Sequence, residues 1–458
     1  MSCLLPVLRC LLPLLSCLLP VFSSLLSSFF TLLSCVLPVL ICVLPVLSCA
    51  VVFASDRVVR VRPANDNHVT LLSGLEESQP FNVDFWTFPS NPGKTVDIHV
   101  GARDFYTLKA WLHSQGMEFT SRDLQGIASQ AVNAQKQQTF ADRPGNLAWF
   151  KKYHQHDEII AELKRIAKGA KNRTQLLSIG NSYEKREQLV IRINGTNGKY
   201  KADKPVFFVN CGIHAREWVS PATCMYIIHE LVSKYEKDAK VTSVLDKMDF
   251  IIHPMVNPDG YVFTHKNESN RLWRKSRKPT SKAGCIGADL NRNFGYQWGK
   301  PGSSDKPCSF IYRGEAPYSE VEVKNMAAFL WKLAPNLKGY LDIHSYGQLW
   351  MYPWGYTNQS TQVEKEMMRV ANKSAIAMIA ATPDHAEYKT GQSSKLLYPT
   401  SGSTKDFTFG MLNVTYSYVV ELRDKRPGYG FLLPPEQILP TAREMLAGLL
   451  TCVTEIRL

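Results

Sequence analysis

The sequence predicts an α/β fold, a sheet with helices on both faces, preceded by a small α+β unit. Over residues 144–458, strand-like apolar runs alternate with helix-like amphipathic segments, which is typical of α/β sheets. Polar side chains of metal-ligating type follow several of these runs, at the edge where open α/β sheets place their sites. A chain of 458 residues that is 45% hydrophobic is long enough for two or three domains and a large core.

The charge and the cysteines narrow the possible classes of protein. A formal net charge of +13 raises nucleic acid as a partner, but lysine and arginine are scattered and the densest run, 271–282, lies inside the globular part. We interpret the charge as a basic solvated surface, with an anionic-substrate site as the alternative, and expect no nucleic acid partner. The cysteines after residue 54 contain no CxxC pair, so a cysteine zinc ribbon or a thioredoxin motif is unsupported.

Residues 1–54 form a hydrophobic segment in which a Cys-Leu-Leu-Pro-Val-Leu unit recurs every seven residues. Because each clear unit contains a proline, the repeat does not predict a coiled coil. The stretch 40–54 has the apolar core and small-residue end of a signal peptide, which favours cleavage after Ala54 and secretion without stable membrane association. A membrane anchor and a spurious upstream extension remain alternatives. Six N-x-S/T sequons agree with secretion: Asn172, Asn194, Asn267, Asn358, Asn372 and Asn413.

Residues 55–143 are predicted to form the small α+β unit. The stretches 58–62 and 96–100 alternate apolar and polar residues as strands do, and 103–115 has one apolar helical face. The polar stretch 127–139 is interpreted as a connecting helix or linker. Lys136 and Arg143 are candidate sites for a trypsin-like protease, although an ordinary linker would also contain such residues.

Residues 144–458 contain the alternating elements of the larger unit. Predicted strands cover 189–193, 206–209, 250–254, 340–344 and 415–422. Predicted helices cover 158–167, 225–235, 320–333 and 362–380. The helix after the strand 206–209 is expected to have Ser220 as its N-cap and Pro221 at its first position.

Two histidines and a glutamate stand out at the ends of predicted strands. His214 and Glu217 follow the strand 206–209, and His344 ends the strand 340–344. Histidine and carboxylate ligands are typical of a catalytic zinc, which keeps one position open for water. A lone strand histidine is more often a core residue, which is our interpretation of His229 and His253.

Six ordered motifs resemble the zinc metallocarboxypeptidases of the pancreatic carboxypeptidase A/B family: HAREW, NPDGY, NRLWRKSR, DLNRNFG, DIHSYGQ and ELRD. The resemblance covers essentially all of 144–458, and residues 55–143 resemble the activation segment, so the chain is similar to a secreted zymogen. It implies a mixed, mostly parallel twisted sheet and one zinc ion per chain. It also implies peptide or protein C-termini as substrates, an activating trypsin-like protease and a monomeric enzyme.

The resemblance also implies a role for individual side chains. The zinc ligands are expected to be His214, Glu217 and His344. Asp289 would orient a ligand histidine, Glu421 would be the general base and Arg274 would stabilise the oxyanion.

Further positions resemble substrate contacts and disulfides of the family. Asn291 and Arg292 would hold the terminal carboxylate of the substrate. Tyr398 would close over the substrate, and Arg216 and Tyr346 would form outer subsites. Disulfides are implied for the pairs Cys285–Cys308 and Cys211–Cys224, which leaves Cys452 as a buried thiol.

Lys405 occupies the position that resembles the base of the specificity pocket in this family, where relatives carry an apolar residue or an aspartate. A lysine ammonium there would pair with an acidic side chain, so the sequence predicts a preference for C-terminal Glu or Asp. If Lys405 instead points to the rim, broad apolar specificity is expected. A catalytically inactive binding protein of the same fold is the third interpretation, although the ligands, the base and the oxyanion arginine are all present.

Overall fold

The computed structural model describes residues 55–78, 83–124, 147–195, 203–424 and 429–458. The hydrophobic repeat before Ser55, the linker 127–139 and the candidate cleavage sites Lys136 and Arg143 lie outside the described residues. Within the described residues, no helix combines the length and apolar character that a membrane span requires.

The N-terminal unit is an antiparallel sheet packed against two helices. Its strands are β1 (Arg57–Val61), β2 (Val83–Phe85), β3 (Val96–Val100) and β4 (Phe119–Asp123), in the order β2-β3-β1-β4. Its helices are α1 (Asp66–Ser78) and α2 (Phe105–Ser114). The sequence predicted β1, β3 and α2 to within two residues at each end. The apolar face of α2 is buried as predicted, since Phe105, Leu108 and Leu112 fall on one side of the helix.

The larger unit is built on an eight-stranded sheet in the order β11-β10-β12-β9-β7-β8-β6-β5. Its strands are β5 (Thr174–Asn181), β6 (Glu187–Ile193), β7 (Val206–Cys211), β8 (Asp249–His253), β9 (Leu337–His344), β10 (Leu349–Tyr352), β11 (Lys389–Gln392) and β12 (Tyr416–Glu421). The four central strands β12, β9, β7 and β8 are parallel, and antiparallel pairs flank them. The mixed sheet confirms the predicted fold class.

The helices of this unit are α3 (His156–Gly169), α4 (Val219–Lys234), α5 (Ala239–Lys247), α6 (Pro258–Thr264), α7 (Val321–Leu333), α8 (Glu364–Ala380), α9 (Ser393–Leu396), α10 (Thr404–Gly410) and α11 (Ile438–Glu455). The four predicted helices correspond to α3, α4, α7 and α8. The predictions that Ser220 caps α4 and that Pro221 is its first residue are wrong, because the helix begins at Val219. The Ser220 hydroxyl instead accepts from Gly212 N and donates to Ile343 O, which joins the ends of β7 and β9.

Two apolar clusters cover the two faces of the sheet. Successive residues of β7 point to opposite faces of the sheet. Phe207 lies in the cluster with α4, α8 and α11, and Phe208 lies in the cluster with α7. A parallel strand that is buried on both faces reads as a continuous apolar run, which is why β7 could be predicted. The packing fixes the carboxyl ends of β7, β9 and β12 side by side, and the polar residues collect at that edge.

Candidate active site

His214, Glu217 and His344 form a buried cluster at the carboxyl edge of the sheet. One ligand atom from each of the three lies within 4.8 Å of the others. Glu217 Oε1 is 2.7 Å from His214 Nδ1, and Glu217 Oε2 is 3.1 Å from His344 Nδ1. Burial opposes ionisation of Glu217, but the two histidines outweigh it and hold the pKa of the carboxyl well below its usual range. Two imidazoles and one carboxylate converging on one point fit a zinc ion of the catalytic type.

The second ring nitrogen of His214 contacts a buried carboxylate, as the sequence predicted. His214 Nε2 lies 3.0 Å from Asp289 Oδ1. The other oxygen of Asp289 accepts from Arg274 Nη2 at 2.7 Å and from Arg274 Nε at 3.1 Å. Burial raises the pKa of Asp289, but Arg274, His214 and Arg292 together lower it well below the usual value. Asp289 therefore holds the imidazole on one side and the guanidinium on the other.

The second ring nitrogen of His344 also contacts a buried carboxylate, Asp342, to which the sequence had led us to assign no role. His344 Nε2 lies 2.8 Å from Asp342 Oδ2. The same oxygen is 3.3 Å from Asn291 Nδ2, which is 3.2 Å from His344 Nε2. The spacing of Asp342 and His344 in β9 could have indicated this contact, because side chains two residues apart share a face of a strand.

Glu421 ends β12 directly beside the metal-ligating cluster. In the register of the parallel pair β12 and β9, Glu421 lies opposite His344. Its Oε2 atom is buried without a hydrogen-bond partner among the described residues. Burial raises the pKa of the Glu421 carboxyl above its ordinary value. A carboxylate with a free oxygen and a raised pKa is suited to accept and return a proton.

A pocket extends from the cluster past Arg292 to Lys405. Arg292 Nε donates to Gly302 O at 2.7 Å and its Nη1 to Asn291 O at 2.9 Å. Lys405 is 4% exposed, and its ammonium donates to Thr400 Oγ1 at 3.0 Å and to Ser403 Oγ at 3.2 Å. Burial lowers the pKa of Lys405, and the negative charge of the neighbouring Asp406 opposes this shift. Met351, Leu397 and Val419 line the same pocket.

The three remaining predicted substrate contacts all touch the N-terminal unit. Arg216, 1% exposed, forms an ion pair with Asp84. Tyr346 donates through its hydroxyl to Asp97 Oδ2 at 2.9 Å. The ring of Tyr398 lies 4.8 Å from the ring of Phe88.

Trp86 closes the space between these contacts. Its ring packs on Tyr346 and Phe431, at 6.1 Å and 5.0 Å between centroids. Trp86 and Thr87 line the same pocket as His214 and Lys405. These contacts could not be predicted from the sequence, because they join residues far apart in the chain.

Both predicted disulfides are present. Cys211–Cys224 ties the end of β7 to α4, on either side of the loop that carries His214 and Glu217. Cys285–Cys308 closes a loop that follows Arg274. Cys452 is a buried free thiol, as expected. His253 is a core residue, and His229 lies half-buried on α4 against Phe150, so neither joins the cluster.

Comparisons with known proteins agree with this geometry. A family profile described as zinc carboxypeptidase matches residues 159–448, and one described as carboxypeptidase activation peptide matches residues 59–125. Carboxypeptidase A4 of Mus musculus is 37% identical over 88% of this chain and 94% of its own length. Carboxypeptidase A1 of Bos taurus is 36% identical over 87% of this chain and 93% of its own.

A solved structure extends the similarity to the fold. The crystal structure of thrombin activatable fibrinolysis inhibitor superposes with a TM-score of 0.79 at 30% identity, covering 88% of this chain and 99% of that one. The chain therefore belongs to the zinc carboxypeptidase family, and it is a metallocarboxypeptidase with an activation peptide ahead of its catalytic domain.

Proposed function

We propose that this enzyme binds one zinc ion at His214, Glu217 and His344 and releases single C-terminal residues, preferring those with acidic side chains. The observation that carries the preference is the buried ammonium of Lys405, which lies in the pocket that also holds the metal-ligating cluster. Peptides are the substrates of the family, so the finer question is which C-terminal side chain enters this pocket.

The side chains around the cluster are suited to peptide hydrolysis. A zinc ion bound there supplies Lewis-acid activation of a water molecule and of the scissile carbonyl. Glu421, with its free Oε2, takes the proton of the attacking water and passes it to the leaving amine. Arg274 is fixed to Asp289 through Nε and Nη2, and its Nη1, which lies 3.9 Å from Glu217 Oε1, is the nitrogen that would donate to the developing oxyanion.

Arg292 is the proposed contact for the terminal carboxylate, which restricts cleavage to the last residue. Its Nε and Nη1 are held by backbone carbonyls, and no described residue accepts from its Nη2. Asn291 lies beside it, but its amide already contacts Asp342 through Nδ2 and Thr404 N through Oδ1. We therefore assign most of the carboxylate binding to Arg292, with Asn291 contributing by exchanging one of these contacts.

Lys405 would select the substrate side chain at the far end of the pocket. Its only hydrogen-bond partners among the described residues are two neutral hydroxyls, and the buried carboxylate of Asp406 acts on its charge without a hydrogen bond to it. A substrate Glu or Asp supplies a carboxylate that can bind the ammonium directly, whereas a Lys or Arg side chain is repelled. A desolvated pair of this kind discriminates by a few kcal/mol.

Broad apolar specificity is the second candidate. Met351, Leu397 and Val419 line the pocket, and two of the relatives compared above are carboxypeptidases A4 and A1. Under this alternative Lys405 remains bonded to Thr400 and Ser403, and an apolar side chain packs on the pocket walls.

Turnover of blocked dipeptides ending in Glu, Asp, Leu or Lys distinguishes the two candidates. We expect kcat/KM for Glu to exceed that for Leu by about 10- to 100-fold, and Lys405→Leu to reverse the order. Glu421→Gln is the matched reference, because it should lose at least about 100-fold of turnover on every substrate while zinc content stays at one per chain. If the unaltered enzyme cleaves Leu far better than Glu, the acidic preference is wrong.

We also propose that the enzyme is a secreted monomer, free of the membrane after signal cleavage, whose latency ends when a trypsin-like protease cuts between the two units. In this proposal residues 1–54 are the signal segment, residues 55–143 are the activation unit and residues 144–458 are the catalytic unit. The activation-peptide profile that matches residues 59–125 supports the second of these assignments. Arg216, Tyr346 and Tyr398 would then be released from the N-terminal unit to contact substrate.

A further inference from the structure

We infer that Asp342 is a positioning residue for the zinc ligand His344, so that both ligand histidines are oriented by buried carboxylates. Asp289 has this role for His214, and the contact of Asp342 with His344 has the same form. The inference rests on the proposed zinc site at His214, Glu217 and His344.

The two ring nitrogens of His344 face in different directions. Nδ1 points into the cluster, 3.1 Å from Glu217 Oε2 and 3.2 Å from His214 Nδ1. Nε2 points away from it, 2.8 Å from Asp342 Oδ2. The metal-facing nitrogen of a ligand histidine must be unprotonated, so the proton belongs on Nε2 and is donated to Asp342. A carboxylate at this place fixes the tautomer and the ring orientation and makes the imidazole a stronger ligand.

The carboxylate of Asp342 is itself held by donors from three other elements. Asn210, at the end of β7, donates through Nδ2 to Oδ1 at 2.7 Å. Thr404, at the start of α10, donates through Oγ1 to Oδ2 at 2.5 Å, and Asn291 Nδ2 adds a contact of 3.3 Å. Asp342 is 0% exposed. With His344, four donors contact the two oxygens of the carboxylate. A carboxylate can only accept hydrogen bonds, so these contacts replace the water that the buried Asp342 lacks.

The donors are fixed in turn, which makes the arrangement rigid. Tyr340 donates to Asn210 Oδ1 at 2.5 Å, so the Asn210 amide can present only its nitrogen to Asp342. Thr404 N donates to Asn291 Oδ1 at 2.9 Å, which orients the Asn291 amide in the same way. Thr404 directly precedes Lys405 in α10, so the network around the zinc ligand ends one residue before the pocket lysine. A flexible carboxylate could not orient a ligand; this one is held from β7, from α10 and from the turn that contains Asn291.

The test is the zinc affinity of the intact chain, measured by competition with a chromogenic chelator. We expect Asp342→Asn to bind zinc about 10- to 100-fold more weakly, and Asp289→Asn to show a loss of similar size. Asp249→Asn is the matched control. Asp249 is an equally buried strand carboxylate, but it lies at the amino end of β8 and pairs with Arg192 and Lys204. It should therefore leave zinc affinity unchanged even if it lowers the unfolding temperature of the metal-free protein.

The outcomes separate this inference from the proposed zinc site. If Asp342→Asn binds zinc within twofold of the unaltered chain while Glu217→Gln loses zinc, Asp342 does not position His344. If the unaltered chain does not bind one zinc per molecule, the metal site itself is wrong and the inference fails with it.

A measurement on the unaltered protein covers the case in which Asp342→Asn does not fold. With ¹⁵N-labelled histidine, the zinc-loaded chain should show two slowly exchanging Nε2 protons far downfield, one from each carboxylate–histidine pair. Asp289→Asn should remove one of the two. If only a single such proton is seen and Asp289→Asn removes it, His344 has no carboxylate partner and the inference is overturned.

Discussion

Glu322 is a buried carboxyl group that takes no part in the proposed chemistry. It lies in the first turn of α7, accepts from Tyr183 N at 2.9 Å through Oε1, and has no described partner for Oε2. Burial raises its pKa from 4.5 to about 7, with a further contribution from the negative charge of Asp259. The folded protein therefore keeps the proton between about pH 4.5 and pH 7, where the unfolded chain loses it.

Glu322 should make the folded state less stable as pH rises. Since the unfolded state binds fewer protons over this window, the free energy of unfolding falls by on the order of 1–3 kcal/mol between pH 4.5 and pH 8 on account of this residue. Glu322→Gln keeps the acceptor for Tyr183 N and removes the titration. We expect the free energy of unfolding of Glu322→Gln, relative to that of the unaltered chain, to increase as the pH rises over this range.

Urea unfolding at pH 5, 6, 7 and 8 checks this expectation. Glu315→Gln is the control, because Glu315 is exposed and its removal should leave the pH dependence nearly unchanged. Parallel stability curves for Glu322→Gln and the unaltered chain would show that the carboxyl does not titrate abnormally.

At the scale of residues, the sequence indicated the three side chains of the candidate metal site because each lies at or just after the end of an apolar strand. His214 and Glu217 come just after β7, and His344 ends β9. Asp342 stood out in the same cluster as His344 but was given no role, although its spacing in β9 carried the information. The hydroxyls of Thr400 and Ser403 could not be connected with Lys405 from the sequence, since a short loop and the turn into α10 bring them around its ammonium.

At the scale of elements, the segment formed by β2 and the three residues after it, 83–88, covers the pocket. Asp84 pairs with the buried Arg216, whose guanidinium also lies 4.1 Å from the ring centroid of Phe431. Trp86 packs against the same Phe431. If Arg216 contacts substrate as proposed, substrate has to displace this segment, and we therefore expect the contacts of the segment to keep the intact chain latent.

Asp84→Asn should weaken this latency. It leaves Arg216 buried opposite a neutral amide, and a hydrogen bond to a charged partner contributes about 1.5–3 kcal/mol. A loss of about 1.4 kcal/mol shifts the equilibrium between the seated and the displaced segment tenfold. We therefore expect the turnover of the uncleaved chain to rise about tenfold or more, and the turnover of the activated enzyme to stay the same. The measurement is the initial rate of the purified intact chain, relative to the activated enzyme.

Asp123→Asn is the control for this experiment. Asp123 is an exposed carboxylate of the same sheet, in β4, where it lies 3.9 Å from Arg57. It should leave latency unchanged. An intact Asp84→Asn chain as inactive as the unaltered one would mean that Trp86 and its neighbours alone block the pocket.

The elements that the sequence predicted are those with long apolar patterns. β7, β9 and β12 were predicted to within a few residues because both of their faces are buried. β10 and β11, four residues each, are too short to show a period. α10, with seven residues, was missed for the same reason, although it carries Lys405.

At the scale of the whole molecule, the six sequons differ in how far the fold exposes them. Asn194 follows β6 and is 0% exposed, and both polar atoms of its side chain are buried without a hydrogen-bond partner among the described residues. The exposed sequon asparagines are Asn172, Asn267, Asn358, Asn372 and Asn413. Accessibility, which the sequence alone did not supply, therefore divides the six into two groups.

Asn372 shows what a glycan would do on this surface. It lies in α8 four residues after Met368 and four before Ile376, so the three side chains share one face of the helix. Met368 is 41% exposed and Ile376 is 64% exposed, and a glycan at Asn372 would cover both. Thr390 donates to Asn372 Oδ1, which leaves the amide nitrogen, the atom that carries a glycan, free of that contact.

If the chain is secreted as proposed, glycans should be confined to the exposed sequons, because a glycan is bulky and must lie on the surface. Peptide mapping of the secreted protein after enzymatic deglycosylation in ¹⁸O-labelled water should show labelled aspartate at exposed positions such as Asn372 and unchanged asparagine at Asn194. Asn372→Gln should remove one glycan and lower solubility, because Met368 and Ile376 then remain uncovered. A glycan at Asn194 in folded, active enzyme would contradict the packing at the end of β6. Absence of glycans from every exposed sequon would contradict the proposed secretory route.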